Sequence, residues 1–124
     1  MRALVVDDSR AMRMILARAL QKVGFEVSFA EHGQNALEVL SKEAAFDLAL
    51  FDWNMPVMTG FELLQAVRAD RKYDGIRIMM VTTETEQENV MRALAAGANE
   101  YLMKPFTPEA LVEKLVMLGM PVAA

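Results

Sequence analysis

Acidic, basic and hydroxyl side chains stand directly after apolar runs at several points of the chain. Asp7 and Asp8 follow one run, Asp52 follows another, and Thr82 and Lys104 follow two more. If the first and third runs form neighbouring strands, three carboxylates converge, and two carboxylates about 4 Å apart repel by roughly 4 kcal/mol at an effective dielectric near 20. A cation must then lie among them. An all-oxygen cluster without histidine or cysteine favours Mg²⁺ over zinc.

The same set of side chains is suited to phosphoryl transfer. A carboxylate beside Mg²⁺, an ammonium and a hydroxyl can attack phosphorus, because the cations stabilise charge on the transferring oxygens. Asp52 would be the nucleophile, and the product would be an aspartyl phosphate. A single aspartate after a strand, like Ser9, indicates only the start of a helix, so the prediction depends on the whole set. His32 is interpreted as a surface or helix-start residue, not as a general base.

Short apolar, β-branched runs alternate with segments in which apolar residues recur at spacings of three and four, as on one face of a helix. Thr107 and Pro108 predict the start of the last helix, and Gly119 predicts its end. The predicted strands are Ala3–Val6, Glu26–Ala30, Leu48–Phe51, Ile76–Val81 and Glu100–Met103.

This alternation predicts an α/β fold with a doubly wound parallel sheet, right-handed crossovers and helices on both faces. The first, third and fourth strands are almost continuously apolar, as expected where both faces of a sheet are covered. In such open sheets the ligand crevice lies beyond the carboxyl ends of the strands. The polar residues that follow the strands are therefore expected at that edge.

The composition excludes several classes of function. The chain has 124 residues, 54% of them hydrophobic, a net charge of −4 and no cysteine, which excludes disulfides, zinc–thiolate sites and thiol chemistry. No apolar run approaches the roughly 18 residues of a membrane span, and the basic residues are scattered. We expect a cytoplasmic, monomeric protein that binds neither membranes nor nucleic acid.

Four segments of the chain resemble the receiver domain of bacterial two-component response regulators, the single-domain chemotaxis regulators among them. They are Leu4–Asp8, Asp52–Gly60, Met80–Glu84 and Ala96–Phe106. The resemblance implies a five-stranded, flavodoxin-like sheet of order 2-1-3-4-5 with five helices. It also implies one receiver domain over residues 1–124, without an effector domain.

The resemblance implies a role for each acidic residue. Asp52 is similar to the phosphoacceptor, and Asp7 and Asp8 to the acidic pair that binds Mg²⁺ together with Asp52. The backbone carbonyl of Asn54 is similar to a further metal ligand. A receiver catalyses only its own phosphorylation and dephosphorylation, so we do not expect a conventional enzyme.

Other positions resemble the residues that carry the signal. Thr82 and Lys104 are similar to the groups that sense the phosphoryl group, Thr82 and Tyr101 to the switch residues, and Pro105 to a proline after a cis peptide bond. A phosphoryl group adds charge and three acceptor oxygens that can recruit such donors. The implied output surface comprises Gln87, Val90, Met91, Leu94, Tyr101 and Lys114.

The close resemblance to chemotaxis regulators implies a histidine kinase, the chemotaxis kinase, as phosphodonor and the flagellar motor-switch protein FliM as target. The alternative is a phosphate sink, or a regulator that docks on another kinase or output protein. Trp53, next to Asp52, is expected to report metal and phosphate by its fluorescence.

The chain departs from the family pattern at two positions. Thr83 stands where the family has a smaller residue, so we expect narrower access to Asp52, and Arg10 adds a positive charge after the acidic pair but is interpreted as a solvated residue. Asn54 and Glu84 flank the site, where they could tune attack by water. A flavodoxin-type flavin binder needs a phosphate-binding loop where this chain has Asp7 and Asp8. A haloacid dehalogenase phosphatase needs an aspartate where this chain has Asn54.

Overall fold

The computed structural model describes residues 1–43, 45–83 and 87–122. Strands and helices alternate along the chain, with one short 3₁₀ turn at Arg71–Tyr73. The strands are β1 (Arg2–Val6), β2 (Glu26–Ala30), β3 (Leu48–Asp52), β4 (Arg77–Thr83) and β5 (Glu100–Lys104). The helices are α1 (Arg10–Lys22), α2 (Gly33–Lys42), α3 (Gly60–Arg68), α4 (Gln87–Ala95) and α5 (Pro108–Met117).

The strands of the described chain form one parallel sheet in the order β2-β1-β3-β4-β5. This order and the five helices confirm the predicted fold. In the register of the sheet, Val6 pairs with Phe51, Asp52 with Val81, and Thr83 with Lys104. The carboxyl ends of four strands therefore meet at one edge.

Two apolar layers cover the two faces of the sheet. Alternate residues of each central strand enter opposite layers, which explains why these strands are apolar throughout. One layer joins β1, β3 and β4 to α2, α3 and α4 through buried residues that include Leu4, Val6, Phe51, Leu63, Leu64, Met80 and Ala93. The other joins the same strands and β5 to α1 and α5 through residues that include Val5, Leu16, Leu20, Leu50, Val81, Leu102, Leu111 and Leu115.

The helix starts follow ordinary capping chemistry. Ser9, His32 and Thr107 each accept a hydrogen bond from the backbone N–H three residues later. This confirms the predicted start of α5 and the interpretation of His32 as a helix-start residue. Gly119 has a φ of 76°, a left-handed conformation that glycine adopts without strain, and it follows the end of α5 as predicted.

Several predicted strand ends are wrong by one or two residues. β3 includes Asp52 and β5 includes Lys104, while β4 runs from Arg77 to Thr83 instead of from Ile76 to Val81. The apolar pattern ends where the side chains become polar, but the hydrogen-bonded pairing of the strands continues through these polar residues. The chemically important residues are thus held by the sheet itself.

No helix in the described residues is long and apolar enough to cross a membrane.

The guanidinium of Arg68 ties the end of α3 to the segment before β4 and to the segment before β5. It donates hydrogen bonds to the carbonyl oxygens of Tyr73 (2.9 Å), Ile76 (2.7 Å) and Gly97 (2.9 Å) and to Oδ1 of Asn99 (2.8 Å). Burial lowers the pKa of Arg68, and the nearby charge of Asp74 opposes this shift. One side chain therefore satisfies four acceptors in two separate segments.

We expect Arg68→Ala to lower the free energy of unfolding by about 2–3 kcal/mol, because the carbonyl oxygens lose charged donors. Arg68→Lys should recover only part of the loss, since an ammonium cannot reproduce the planar fork. Urea unfolding followed by circular dichroism measures both. Arg71→Ala, at an exposed position, is the control, and equal losses in Arg68→Ala and Arg71→Ala would contradict this account.

Candidate functional site: an acidic pocket at the carboxyl edge of the sheet

Asp7, Asp8 and Asp52 come together at the ends of β1 and β3. One oxygen of each carboxylate lies within 4.8 Å of the others. Asp7 is 1% exposed and Asp52 is 6% exposed, whereas Asp8 faces solvent. The structure thus places the three predicted carboxylates in one small pocket with an open side.

Backbone contacts hold Asp7 in place. Its N–H donates to the carbonyl oxygen of Ala30 (3.2 Å), and its Oδ1 accepts from the N–H of Ser9 (2.8 Å). The guanidinium of Arg13 donates to the carbonyl oxygen of Asp7 (2.7 Å). Arg13 was not predicted as a site residue, because nothing in its spacing shows that its side chain turns back toward β1.

The peptide unit of Asp52 is packed tightly against the start of α3. A Cβ on Gly60 would collide with the carbonyl oxygen of Asp52, so only glycine allows this approach. The N–H of Gly60 donates to the carbonyl oxygen of Trp53 (2.9 Å), and the indole stacks on Phe61 with ring centroids 5.2 Å apart. Trp53 is therefore held in a fixed position beside Asp52.

Lys104 reaches the pocket from the last position of β5. Its Nζ lies 2.9 Å from Oδ1 of Asp52, and this ion pair spans β4, which separates the two strands in the sheet. The side chains of Lys104 and Asp52 are 24% and 7% exposed. The Lys104–Pro105 peptide bond is cis.

Two hydroxyl side chains end β4. Thr82 is buried, one residue beyond the partner of Asp52 in the ladder. Thr83 is half-buried and pairs with Lys104. Thr83 also lines a groove of about 400 Å³ with Met12, Ile15, Lys104, Pro105 and Phe106. The threonine thus lies between the pocket and an apolar groove.

The pocket carries more negative charge than its protein contacts neutralise. Oδ2 of Asp7 is buried, and no donor among the described residues lies within hydrogen-bond distance of it. Burial raises the pKa of Asp7, and the charges of Asp52 and Asp8 raise it further, while the Ser9 N–H and Lys104 oppose the shift. A buried carboxylate oxygen without a donor, in an all-oxygen cluster, fits a hard divalent cation.

The predicted output residues lie outside this pocket. Met91 is 73% exposed and Leu94 is 40% exposed on α4, while Val90 and Tyr101 are half-buried. Gln87 begins α4, but its side chain lies outside what the structure describes, and Glu84 is also outside the described residues. Lys114 contacts Tyr101 and Glu100, and Glu100 was not identified from the sequence.

Comparison with known proteins decides the family. The model of the response regulator receiver domain matches residues 3–116. The chain belongs to this family. It is 49% identical over 121 residues to chemotaxis protein CheY1 of Helicobacter pylori, which covers 96% of this chain and 98% of that protein. It is 48% identical over 116 residues to a CheY homologue of Campylobacter jejuni, with 93% and 89% covered.

Solved structures agree with this receiver assignment. Chemotaxis protein CheY4 of Vibrio cholerae matches with a TM-score of 0.86 and 44% identity, over 94% of this chain and 96% of that one. The protein is a CheY-like receiver domain. Membership of this family favours the phosphoacceptor interpretation over the flavin-binding and phosphatase alternatives.

The raised pKa of Asp7 has a consequence for stability. The pKa of Asp7 is higher in the folded than in the unfolded protein, so protonation of Asp7 favours folding. This contribution to the free energy of unfolding is complete below the unfolded-state pKa and is lost as the pH rises through the folded-state pKa. Without a bound cation, the ionised form of Asp7 therefore destabilises the fold. Asp7→Asn should therefore raise the free energy of unfolding in a chelator by about 1–2 kcal/mol.

Urea unfolding with EDTA and with saturating Mg²⁺ measures this effect. The gain from Asp7→Asn should shrink or reverse in Mg²⁺ if the pocket binds the ion, because the variant would lack a carboxylate oxygen through which binding could stabilise the wild-type protein. Asp8→Asn is the matched control, and in EDTA its exposed carboxylate should change stability by less than about 0.5 kcal/mol. An Asp7→Asn variant that is less stable than wild type in EDTA would contradict the account.

Proposed function

We propose that the protein is a stand-alone response regulator that accepts a phosphoryl group on Asp52 from a histidine kinase in a Mg²⁺-dependent reaction. The observation that carries this proposal is the buried Asp52 carboxylate, with one oxygen held by Lys104 and with Asp7 and Asp8 beside it. Membership of the receiver family supports the same role.

The chemistry is one displacement at phosphorus. An oxygen of the ionised Asp52 carboxylate attacks the phosphoryl group of a phosphohistidine, the P–N bond breaks, and the imidazole nitrogen leaves with the bonding electron pair. Asp52 needs no general base, because a carboxylate is already ionised at neutral pH. The protein would therefore catalyse only its own phosphorylation and, with water as the attacking group, its own dephosphorylation.

Asp7, Asp8, Asp52 and the backbone carbonyl of Asn54 would hold Mg²⁺. When bound, the ion would neutralise the charge of the pocket and of the transferring oxygens. Lys104 already lies 2.9 Å from Asp52 and would donate to a phosphoryl oxygen, because its ammonium is a mobile point charge on a flexible stem.

The signal would pass from Asp52 to the surface formed by α4, β5 and α5. Phosphorylation would change the charge on Asp52 from −1 to about −2 and add strong hydrogen-bond acceptors. The buried Thr82 lies one residue beyond Val81, the ladder partner of Asp52, so its hydroxyl could donate to such an acceptor. Tyr101 lies in β5, the strand that also carries Lys104. Both threonine and tyrosine would therefore respond to the state of the pocket.

The relatives named as chemotaxis proteins favour the chemotaxis kinase as donor and the flagellar motor-switch protein FliM as target. The alternative is a phosphate sink or a regulator that docks on another kinase or output protein. The two functions differ in whether the output surface binds the motor-switch protein after phosphorylation.

Incubation with acetyl phosphate and Mg²⁺ should phosphorylate Asp52 and change the fluorescence of Trp53, which is fixed next to it. Mass spectrometry after borohydride trapping locates the modified residue. Asp52→Asn should abolish the modification and EDTA should prevent it, whereas Asp74→Asn, at an exposed aspartate, should leave it intact. Phosphorylation of another residue in wild-type protein would refute the assignment.

Loading the site with beryllium fluoride and Mg²⁺ should tighten binding to the N-terminal segment of FliM tenfold or more, about 1.4 kcal/mol. Isothermal titration calorimetry measures the affinity, and Asp52→Asn should show no such change. A fluorescence change at Trp53 without binding of the segment would leave the receiver assignment standing and exclude the motor as target.

A further inference from the structure

Glu100, Tyr101 and Lys114 form a contact cluster at the edge of the sheet, which we call the clasp. Oε1 of Glu100 accepts hydrogen bonds from the backbone N–H of Tyr101 (3.0 Å) and from Nζ of Lys114 (3.1 Å). The same ammonium lies 4.0 Å from the centroid of the Tyr101 ring. One carboxylate oxygen thus fixes the cation above the aromatic ring.

The clasp is better shielded than an ordinary surface ion pair. The side chains of Lys114 and Glu100 are 20% and 13% exposed, compared with 62% and 49% for the exposed pair of Lys72 and Asp70. Partial burial strengthens both the ion pair and the cation–π contact, because less water competes for the ammonium. The ammonium of Lys114 is therefore occupied from within the chain.

The position of the clasp matters because it lies within the proposed output surface. Tyr101 and Lys114 belong to that surface, and Glu100 adjoins Tyr101 in β5. A partner that places a carboxylate on Lys114 must first displace the carboxylate of Glu100. A partner without an acidic side chain has no such competition to overcome.

We propose that Glu100 is a built-in competitor for Lys114, which lowers the affinity of this surface for partner segments that place a carboxylate on Lys114. This inference rests on the proposed output surface. It adds a specificity-determining residue that acts through Lys114 and not by touching the phosphorylation site.

The first test needs no partner. Trace acetylation of lysine amines, quantified by mass spectrometry, reports how freely each amine meets the reagent. Glu100→Gln should speed the acetylation of Lys114 by about two- to fivefold, the range expected for loss of one ion pair. Exposed Lys22 and Lys42 serve as internal references, and Glu113→Gln, an exposed position on α5, is the matched control.

The second test measures competition directly. The FliM segment is titrated against wild type, Glu100→Gln, Lys114→Gln and the double variant, with the site loaded by beryllium fluoride and Mg²⁺. Glu100→Gln should bind about two- to fivefold more tightly, and this gain should vanish in the Lys114→Gln background. A segment in which every Asp and Glu is replaced by Asn and Gln should show no such gain.

The outcomes separate this inference from the function it rests on. Unchanged acetylation of Lys114 in Glu100→Gln overturns the clasp, and so does faster acetylation without tighter binding when wild type binds the segment. If no variant binds the segment although Trp53 reports a loaded site, the motor target is wrong. The acetylation result then decides the clasp alone, because it does not involve the partner.

Discussion

The ion pair between Lys104 and Asp52 forms only because the sheet aligns the carboxyl ends of its strands. It links β5 to β3 across β4, so it exists only when three strands are in register at their carboxyl ends. The pair neutralises one of three clustered carboxylates. Within the described part of the chain, the buried Oδ2 of Asp7 has no hydrogen-bond donor, so a carboxylate oxygen remains open to a cation.

The unpaired carboxylate oxygen makes the pocket suitable for a cation. A fold selected only for stability would place apolar or neutral side chains at the ends of β1 and β3, since buried like charges cost free energy. The surrounding structure holds them regardless: the N–H of Ser9 and the guanidinium of Arg13 fix Asp7, and Gly60 lets α3 close on Asp52. Stability elsewhere, as in the Arg68 network, offsets the unfavourable site.

The sequence contained enough to predict the sheet, its helices and the acidic pocket, because apolar runs mark buried strands and chain order places their ends at one edge. It was less informative about where strands stop, since Asp52, Thr83 and Lys104 are polar residues inside the ladder. The Arg68 network and the pairing of Glu100 with Lys114 were missed. Both join residues far apart in the chain, and they follow from how helices pack, which no local pattern encodes.

The burial of the strands also implies an uneven mechanical response. All five residues of β3 are buried, and alternate ones enter both apolar layers, so any displacement of this strand would shear two layers together. β5 lies at the edge, and only Leu102 among its residues is buried. Asp52 thus lies on a strand that is buried on both faces, and Lys104 on a half-buried edge strand, so a displacement at the pocket would move β5 more easily than β3.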